Sequence, residues 1–410
     1  MNMRIMQIGP IPPEIGGKSS GGVASHLWDL SQQLAYHHEI GIYADNLFIK
    51  SKFPVQQKNI PIYGFSLKTF FQNSDIAFKY LSSVYKLYQN LEKLLSPLKI
   101  IARLVTLEYA INDFRPDIIH VHLPEVRFPL IWNIIGNKVP IVSTIHSMNS
   151  IDFTNTRKSK KYYNVLHTHL DNNRNMIFVN MQLKERFLAE FYQSKTDNWV
   201  INNPIDTNKF FMIDRATACK NLGLNTSAKI ILFVGNFHIV KGIYTLLEAG
   251  KELLSTTDNV KIMLIGDGPE FQGAERFIRK NNLESTIKLL GRKNYSSILN
   301  YYNCADLFVL PSVSESWGLV CFEAMGCGLP VVGTLGVPIE VIPNKKIGLR
   351  VKINNPVELA EAMKYALNLK WDKNYLINHA KSYDWSNRIT EYEEVYNIVH
   401  ANFINADIAK

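Results

Sequence analysis

Between positions 314 and 330 the chain reads SESWGLVCFEAMGCGLP, which sets two carboxylates, Glu315 and Glu323, eight positions apart around a Trp-Gly break. Carboxylates accept hydrogen bonds, so the pair suits hydroxyl-bearing ligands such as a sugar or a ribose better than it suits a phosphate. Upstream, FVGNFHIVKG places Lys241 and Gly242 between an apolar run and a helical pattern that begins near Ile243. A lysine there can reach an anion held at a helix start, where unpaired N–H groups and the helix dipole both favour negative charge. Two further segments carry imidazoles: HVHLP holds His120 and His122, and STIHS holds His146. Each sits at the end of a strand-like run, where ligands gather in open α/β sheets, which favours a functional role for at least one against three structural histidines. No carboxylate or cysteine stands at a recognisable zinc-ligand spacing from them, so no metal is expected.

The elements that must position these residues are legible as rhythm. Short apolar runs (RIMQIGP, DIIHVHL, PIVSTIH, MIFVN) alternate with amphipathic stretches, and the rhythm restarts after Asn203-Pro204 with KIILFVGN, VKIMLIG, IKLLG, LFVLPS and LPVVGT. Near-continuous apolar runs are what buried parallel strands look like, and the longer stretches supply helical crossovers. The pattern predicts an α/β protein of two tandem Rossmann-like, doubly wound parallel-sheet domains, over 1–203 and 204–385. A last helix, from 386 onward, carries Ile389, Tyr392, Val395, Tyr396 and Val399 at helical spacing and is free to return to the N-terminal domain. In this frame Glu315 lies in the turn after the strand LFVLPS, and Gly318 to Met325 forms a helix that starts beside it and contains Glu323. Gly16-Gly17 and Gly21-Gly22 fall between the first strand and a helix beginning near Val23; this makes either an anion pocket or an ordinary turn-rich loop, and the spacing is not GxGxxG.

Bulk properties narrow the classes. The chain has 410 residues, 46% hydrophobic and 20% charged, which excludes a disordered or fibrous protein. Its four cysteines form no CxxC pair and no Cys/His cluster, which predicts neither a disulfide framework nor a zinc site and fits a reducing cytoplasm. No run approaches the ~18 apolar residues of a membrane span, and the N-terminus shows no cleavable signal. Net charge is +9 and unevenly spread: residues 1–200 hold 22 Lys and Arg against 15 Asp and Glu, an excess of seven, while 201–410 hold 23 against 21. With no nucleic-acid-binding module in the chain, that skew points to anionic lipid or a phosphate-bearing substrate. Around 78–105, Leu81, Val84, Tyr88, Leu91, Leu95 and Leu98 form an apolar stripe while Lys79, Lys86 and Lys93 recur on another face. That segment is either an ordinary surface helix or a basic face for an anionic membrane, with Pro97 ending or kinking it.

Taken together and in order, GGVASHLWDLSQQLA, HVHLP, STIHS, INNPIDTNKF, FVGNFHIVKG, LIGDGPE, CADLFVLPSVSESWGLVCFEAMGCGLPVV and GVPIEVI resemble the family-4 retaining glycosyltransferases of the GT-B fold, most strongly over 225–350. The resemblance implies an N-terminal acceptor domain and a C-terminal nucleotide-sugar domain facing a cleft. It further implies that Glu323 binds the donor ribose, Glu315 contacts the transferred sugar, and the backbone of Gly318, Leu319 and Val320 meets sugar and diphosphate. Lys241 would neutralise the diphosphate, Gly22 would close on it, His146 would approach the reacting carbon, and Gly291 and Arg292 would flank the base. His120 and His122 become acceptor-side candidates. The expected donor is UDP- or GDP-linked, the acceptor a glycan or lipid-linked glycan for a surface polysaccharide, and no cofactor or metal is required. The setting implied is cytoplasmic, with a peripheral place on the inner face of the plasma membrane and no nucleic-acid partner.

Two departures from the family pattern stand out. Asn236 replaces the usual arginine, removing a fixed positive charge, so that either catalysis is slower or Arg292, Lys293 or another cation substitutes, and Gly336-Val337 replaces a double glycine. The first departure keeps open a catalytically silent nucleotide-binding partner of another transferase; a sugar-nucleotide epimerase on the same fold is the enzymatic rival.

Overall fold

In the computed structural model, residues 2–18, 22–49, 54–73, 75–76, 80, 97–122, 138–147, 175–191, 197–224 and 227–408 are described. Lys79, Lys86 and Lys93 lie outside these residues. The chain divides into two compact units: Met1–Asn202 together with Arg388–Lys410, and Asn203–Asn387.

In the first unit the described elements are β1 (Arg4–Gly9), α1 (Gly22–Leu34), β2 (Glu39–Phe48), β3 (Val55–Gln57), β4 (Ile60–Phe65), α2 (Leu67–Gln72), α3 (Pro97–Phe114), β5 (Ile118–His122), β6 (Ile141–Ile145), β7 (Asn175–Phe178), α4 (Met181–Phe191) and β8 (Asp197–Val200). The strands form one sheet in the order β3-β4-β2-β1-β5-β6-β7-β8, parallel except for β3. Lys58 and Asn59, both at positive φ, make the two-residue turn that lets β3 fold back on β4. Every residue of β5 and β6 is buried, which explains why these runs read as continuous apolar strings rather than alternating ones. Helix α1 lays Ala24, Leu27, Leu30, Ser31 and Leu34 against the sheet at helical spacing. Pro97 is the first described residue of α3, and the stretch before it, on which the expected end or kink depends, lies outside the described residues.

The second unit contains α5 (Arg215–Asn221), β9 (Lys229–Val234), α6 (Ile243–Thr256), β10 (Val260–Ile265), α7 (Phe271–Lys280), β11 (Ile287–Leu289), α8 (Tyr295–Cys304), β12 (Leu307–Leu310), α9 (Leu319–Gly326), β13 (Val331–Thr334), β14 (Gly348–Val351), α10 (Pro356–Asn368) and α11 (Lys373–Lys381). Its sheet runs β11-β10-β9-β12-β13-β14, all parallel. Side chains of Asp214, Asn294, Asn355 and Asp372 accept the first free N–H groups of α5, α8, α10 and α11, which fixes where those helices begin.

The cysteine expectation is corrected here. Cys219 at the end of α5 and Cys304 at the end of α8 are joined as a disulfide across 85 residues, with Cα atoms 5.2 Å apart. Packing of the two helices brings together residues whose sequence spacing carries no pattern, so the argument from spacing to a reducing compartment loses its support. Cys321 and Cys327 are buried thiols.

The last helix, α12 (Trp385–Ile408), starts at the edge of the second unit and runs into the first. Its buried face carries Tyr392, Val395, Tyr396 and Val399. Among the described residues no helix is long and apolar enough to cross a membrane.

Candidate active site

Each sheet reverses its winding once, and at such a point the loops leaving two neighbouring strands open a crevice at their carboxyl ends. In the second unit the reversal falls between β9 and β12, in the first between β1 and β5.

The loop leaving β9 contains a single 3-10 turn, Ile239–Lys241, closed by Gly242 at φ 70°. A Cβ on Gly242 would stand 2.0 Å from the carbonyl oxygen of Pro311, so only glycine permits the turn to lie against the loop leaving β12. Val313 N–H donates to the Val240 carbonyl at 2.8 Å, tying the two loops together. As a result Lys241 Nζ reaches Glu315 Oε2 at 2.5 Å. Glu315 is held from several sides: Ser312 Oγ donates to Oε2 at 3.3 Å, Ser316 N–H to Oε1 at 3.2 Å, and its own N–H donates to the Gly336 carbonyl at 2.9 Å. Its carboxylate is mostly enclosed, 11% exposed, against 29% for Lys241, so the lysine head is the more open partner.

Three residues on, Gly318 at φ 75° caps α9 with no side chain accepting from the helix N-terminus. The backbone N–H groups of Leu319 and Val320 therefore begin a helix whose positive dipole end lies next to Glu315 and Lys241. Within that helix Glu323 accepts a hydrogen bond at 2.6 Å from the hydroxyl of Tyr302, a fully buried residue of α8. Burial, then the neighbouring Glu323 charge, pushes the Tyr302 hydroxyl well above its ordinary range and keeps it a donor. Chemically this end of the unit offers a cation, a helix N-terminus and two carboxylates, which together match an anion bearing hydroxyl groups.

The remaining residues singled out in this half are more peripheral. Asn236 is exposed at the carboxyl end of β9, and its carbonyl accepts from His238 N–H at 2.9 Å. Gly291, at φ 66°, follows β11, and its carbonyl accepts from Gly266 N–H at 3.0 Å. Arg292 lies 3.9 Å from Asp267, both well exposed. At the second departure from the family pattern, Val337 turns its side chain into the core, where it is 0% exposed. The extra bulk is thus absorbed away from the Glu315 loop.

In the first unit, Gly22 is the first described residue of α1, and no other described residue comes within 4 Å of where its Cβ would be. His122 ends β5 and His146 follows β6, so both stand at strand ends, and His26 joins them from α1. One nitrogen from each of His26, His122 and His146 lies within 4.8 Å of the other two, the one His/Cys/Asp/Glu group among the described residues able to hold a metal ion. Sequence spacing gave no sign of this group, because its third member comes from a helix rather than from a strand end. His122 Nδ1 faces His146 Nε2 at 3.1 Å, and His122 Nε2 faces Gln7 Oε1 of β1 at 2.7 Å. Tyr392 of α12 reaches His26 Nε2 at 3.3 Å.

His120 is wholly buried, its Nδ1 meeting the Tyr396 hydroxyl and its Nε2 meeting Thr144 Oγ1, each at 2.7 Å. Burial lowers the pKa of all four imidazoles, of His26 and His120 to about 3, so they are neutral in neutral solution.

Two such doubly wound α/β units in one chain make up the GT-B class of glycosyltransferase folds. The comparisons with known proteins agree. Residues 20–209 match the model described as Glycosyltransferase Family 4, and residues 214–383 match Glycosyl transferases group 1. Among solved structures, sucrose-phosphate synthase from Thermosynechococcus elongatus superposes with a TM-score of 0.75 at 18% identity over 98% of this chain and all of that one. An Anabaena protein, HepE, solved in complex with UDP, superposes at 0.69 with 17% identity over 96% of this chain and all of that one. Both likenesses concern the fold. In sequence the chain is 28% identical over 250 residues to an N-acetyl-alpha-D-glucosaminyl L-malate synthase of Bacillus anthracis, covering 60% of this chain and 64% of that one, less than two thirds of its length. An uncharacterized glycosyltransferase of Methanocaldococcus jannaschii is 29% identical over 289 residues, covering 68% of this chain and 75% of its own. The chain belongs to glycosyltransferase family 4.

Proposed function

We propose that the chain is a retaining, metal-independent transferase. It moves a hexose-like sugar from a UDP- or GDP-linked donor to a glycan or lipid-linked acceptor in the assembly of a surface polysaccharide. The observation that carries this reading is the Lys241–Glu315 pair beside the bare N-terminus of α9. In this reading a diphosphate displaces Glu315 from Lys241, and the lysine then faces phosphate while the carboxylate turns to sugar hydroxyls. The N–H groups of Leu319 and Val320 meet the phosphates, and Glu323 takes the ribose hydroxyls. Departure of the nucleoside diphosphate needs its new charge stabilised, which Lys241 and the helix dipole supply. The acceptor attacks on the face the diphosphate leaves, which preserves the anomeric configuration without making Glu315 a nucleophile. His146 approaches the sugar near its reacting carbon, His120 and His122 belong to the acceptor side, Gly22 borders the phosphates, and Gly291 and Arg292 flank the base.

Release of nucleoside diphosphate from a panel of sugar nucleotides tests this directly. Removing one preorganised charge partner of a developing anion costs about 100-fold to 1,000-fold in turnover. Lys241→Ala is expected to fall by that amount and Glu315→Ala to fall with it, with the native rate unchanged by a chelator. The exposed Asn236, in place of a cation, favours a second reading, a nucleotide-binding partner without turnover. Donor binding with no release under any acceptor would decide for it.

A further inference from the structure

The hydrogen bonds around the buried histidines form a continuous chain that α12 closes. Gln7 Nε2 donates to the Tyr396 hydroxyl at 3.5 Å while its Oε1 faces His122 Nε2 at 2.7 Å. An amide oxygen only accepts, so His122 Nε2 carries the proton and His122 Nδ1 keeps its lone pair. That lone pair faces His146 Nε2 at 3.1 Å, so His146 Nε2 must carry the proton of this bond. Nδ1 of His146 is then left as an acceptor. On the other branch Tyr396, having accepted from Gln7, donates to His120 Nδ1, and His120 Nε2–H donates to Thr144. Turning the Gln7 amide over would reverse every proton in the chain and make His146 Nδ1 a donor. The amide therefore selects between two complete arrangements.

We propose that Gln7 and Tyr396 are positioning residues that hold His122 and His146 in their Nε2-protonated tautomers, so that His146 Nδ1 presents an acceptor to a substrate hydroxyl. The inference rests on the reading in which His146 faces the transferred sugar, and it deepens that reading. The ligand group at this point must be a hydrogen-bond donor. A sugar hydroxyl is taken, whereas its replacement by fluorine or a methyl ether is refused. The neutrality of all four rings is what gives tautomers a meaning here, since an imidazolium would donate from both nitrogens. The arrangement also assigns α12 a part in the site, through Tyr396.

Proton-detected 15N spectra of the full chain, recorded without donor, report which imidazole nitrogens carry protons. In the native protein His122 and His146 are expected to be protonated at Nε2. In Gln7→Leu and Tyr396→Phe the selection is lost, and His146 shifts toward a mixture of tautomers. Turnover in these variants is expected to fall about tenfold through kcat, the scale of one hydrogen bond, with KM for the nucleotide sugar within about twofold of native. Circular dichroism identifies a variant that does not fold, and Gln7→Met then serves as the second variant. A proton on His146 Nδ1 in the native protein, or spectra indifferent to both substitutions, overturns the proposal. Unprotonated nitrogens on both sides of the His122–His146 contact, as a bound cation would require, overturn it too. Because the spectra need no turnover, their failure is separable from loss of the transferase reading, which stands or falls with Lys241 and Glu315.

Discussion

Lys241 and Glu315 were legible as chemistry because each has a telling side chain at the end of an apolar run, and their 2.5 Å contact follows from the adjacency of β9 and β12. Tyr302, His26, Gln7 and Tyr396 were not legible. Gln7 and Tyr396 lie 389 residues apart and His26 lies 366 from Tyr392, while Tyr302 and Glu323, 21 apart, stand on different helices; one polar residue on an apolar face carries no local pattern. Tyr302 is the most informative of them to alter. Tyr302→Phe keeps the ring and its packing but removes the donor to Glu323, a bond to a charged acceptor worth about 1.5–3 kcal/mol. The expected result is a KM for the nucleotide sugar raised at least tenfold, with kcat near native, in steady-state kinetics. The histidines make a prediction about pH. Their folded pKa values, about 3 for His26 and His120 and lowered for His122 and His146, lie below the ordinary 6.5, so between those limits the unfolded chain binds more protons. Stability is therefore full above about pH 6.5 and falls as the pH drops, by up to about 1.4 kcal/mol per pH unit for each histidine. Urea midpoints at about pH 7.5 and about pH 5 should show the drop; equal midpoints would contradict it.

At the scale of elements, the apolar runs placed β1, β5, β6, β7 and β9 to β13, because a strand buried on both faces has no polar positions to break the string, but they did not mark β2, β3, β4, β8 or β14. Loop geometry was less accessible. That Gly242 must be glycine follows from a carbonyl brought in by Pro311, 69 positions later, and no local signal announces it. Gly242→Ala places a Cβ where that carbonyl already lies and forces a left-handed backbone on alanine. The two loops must separate, carrying Lys241 away from Glu315. Donor turnover is expected to fall about as far as in Lys241→Ala, while the thermal midpoint drops by several degrees, the response to ~1–3 kcal/mol of strain. The Cys219–Cys304 link shows the same limit, since helix packing and not spacing made the pair.

At the scale of the whole molecule, the charge skew toward residues 1–200 was visible by counting. If the N-terminal excess serves an anionic bilayer, the protein should sediment with vesicles containing anionic lipid at low salt and be released at high salt. Replacing Lys79, Lys86 and Lys93 with glutamine should abolish that sedimentation; retention by the triple variant would reduce those lysines to solvated side chains. The passage of α12 from one unit to the other has a further consequence, for the order of events during synthesis. The unit Asn203–Asn387 is continuous and can complete its core as soon as it emerges from the ribosome. The unit made first must wait, because Tyr392 and Tyr396, which contact its buried imidazoles, follow the whole of the second unit in the chain. In this protein the half that is translated earlier is finished later, and a nascent chain paused before residue 388 would carry one folded half, Asn203–Asn387, and one open sheet in need of protection.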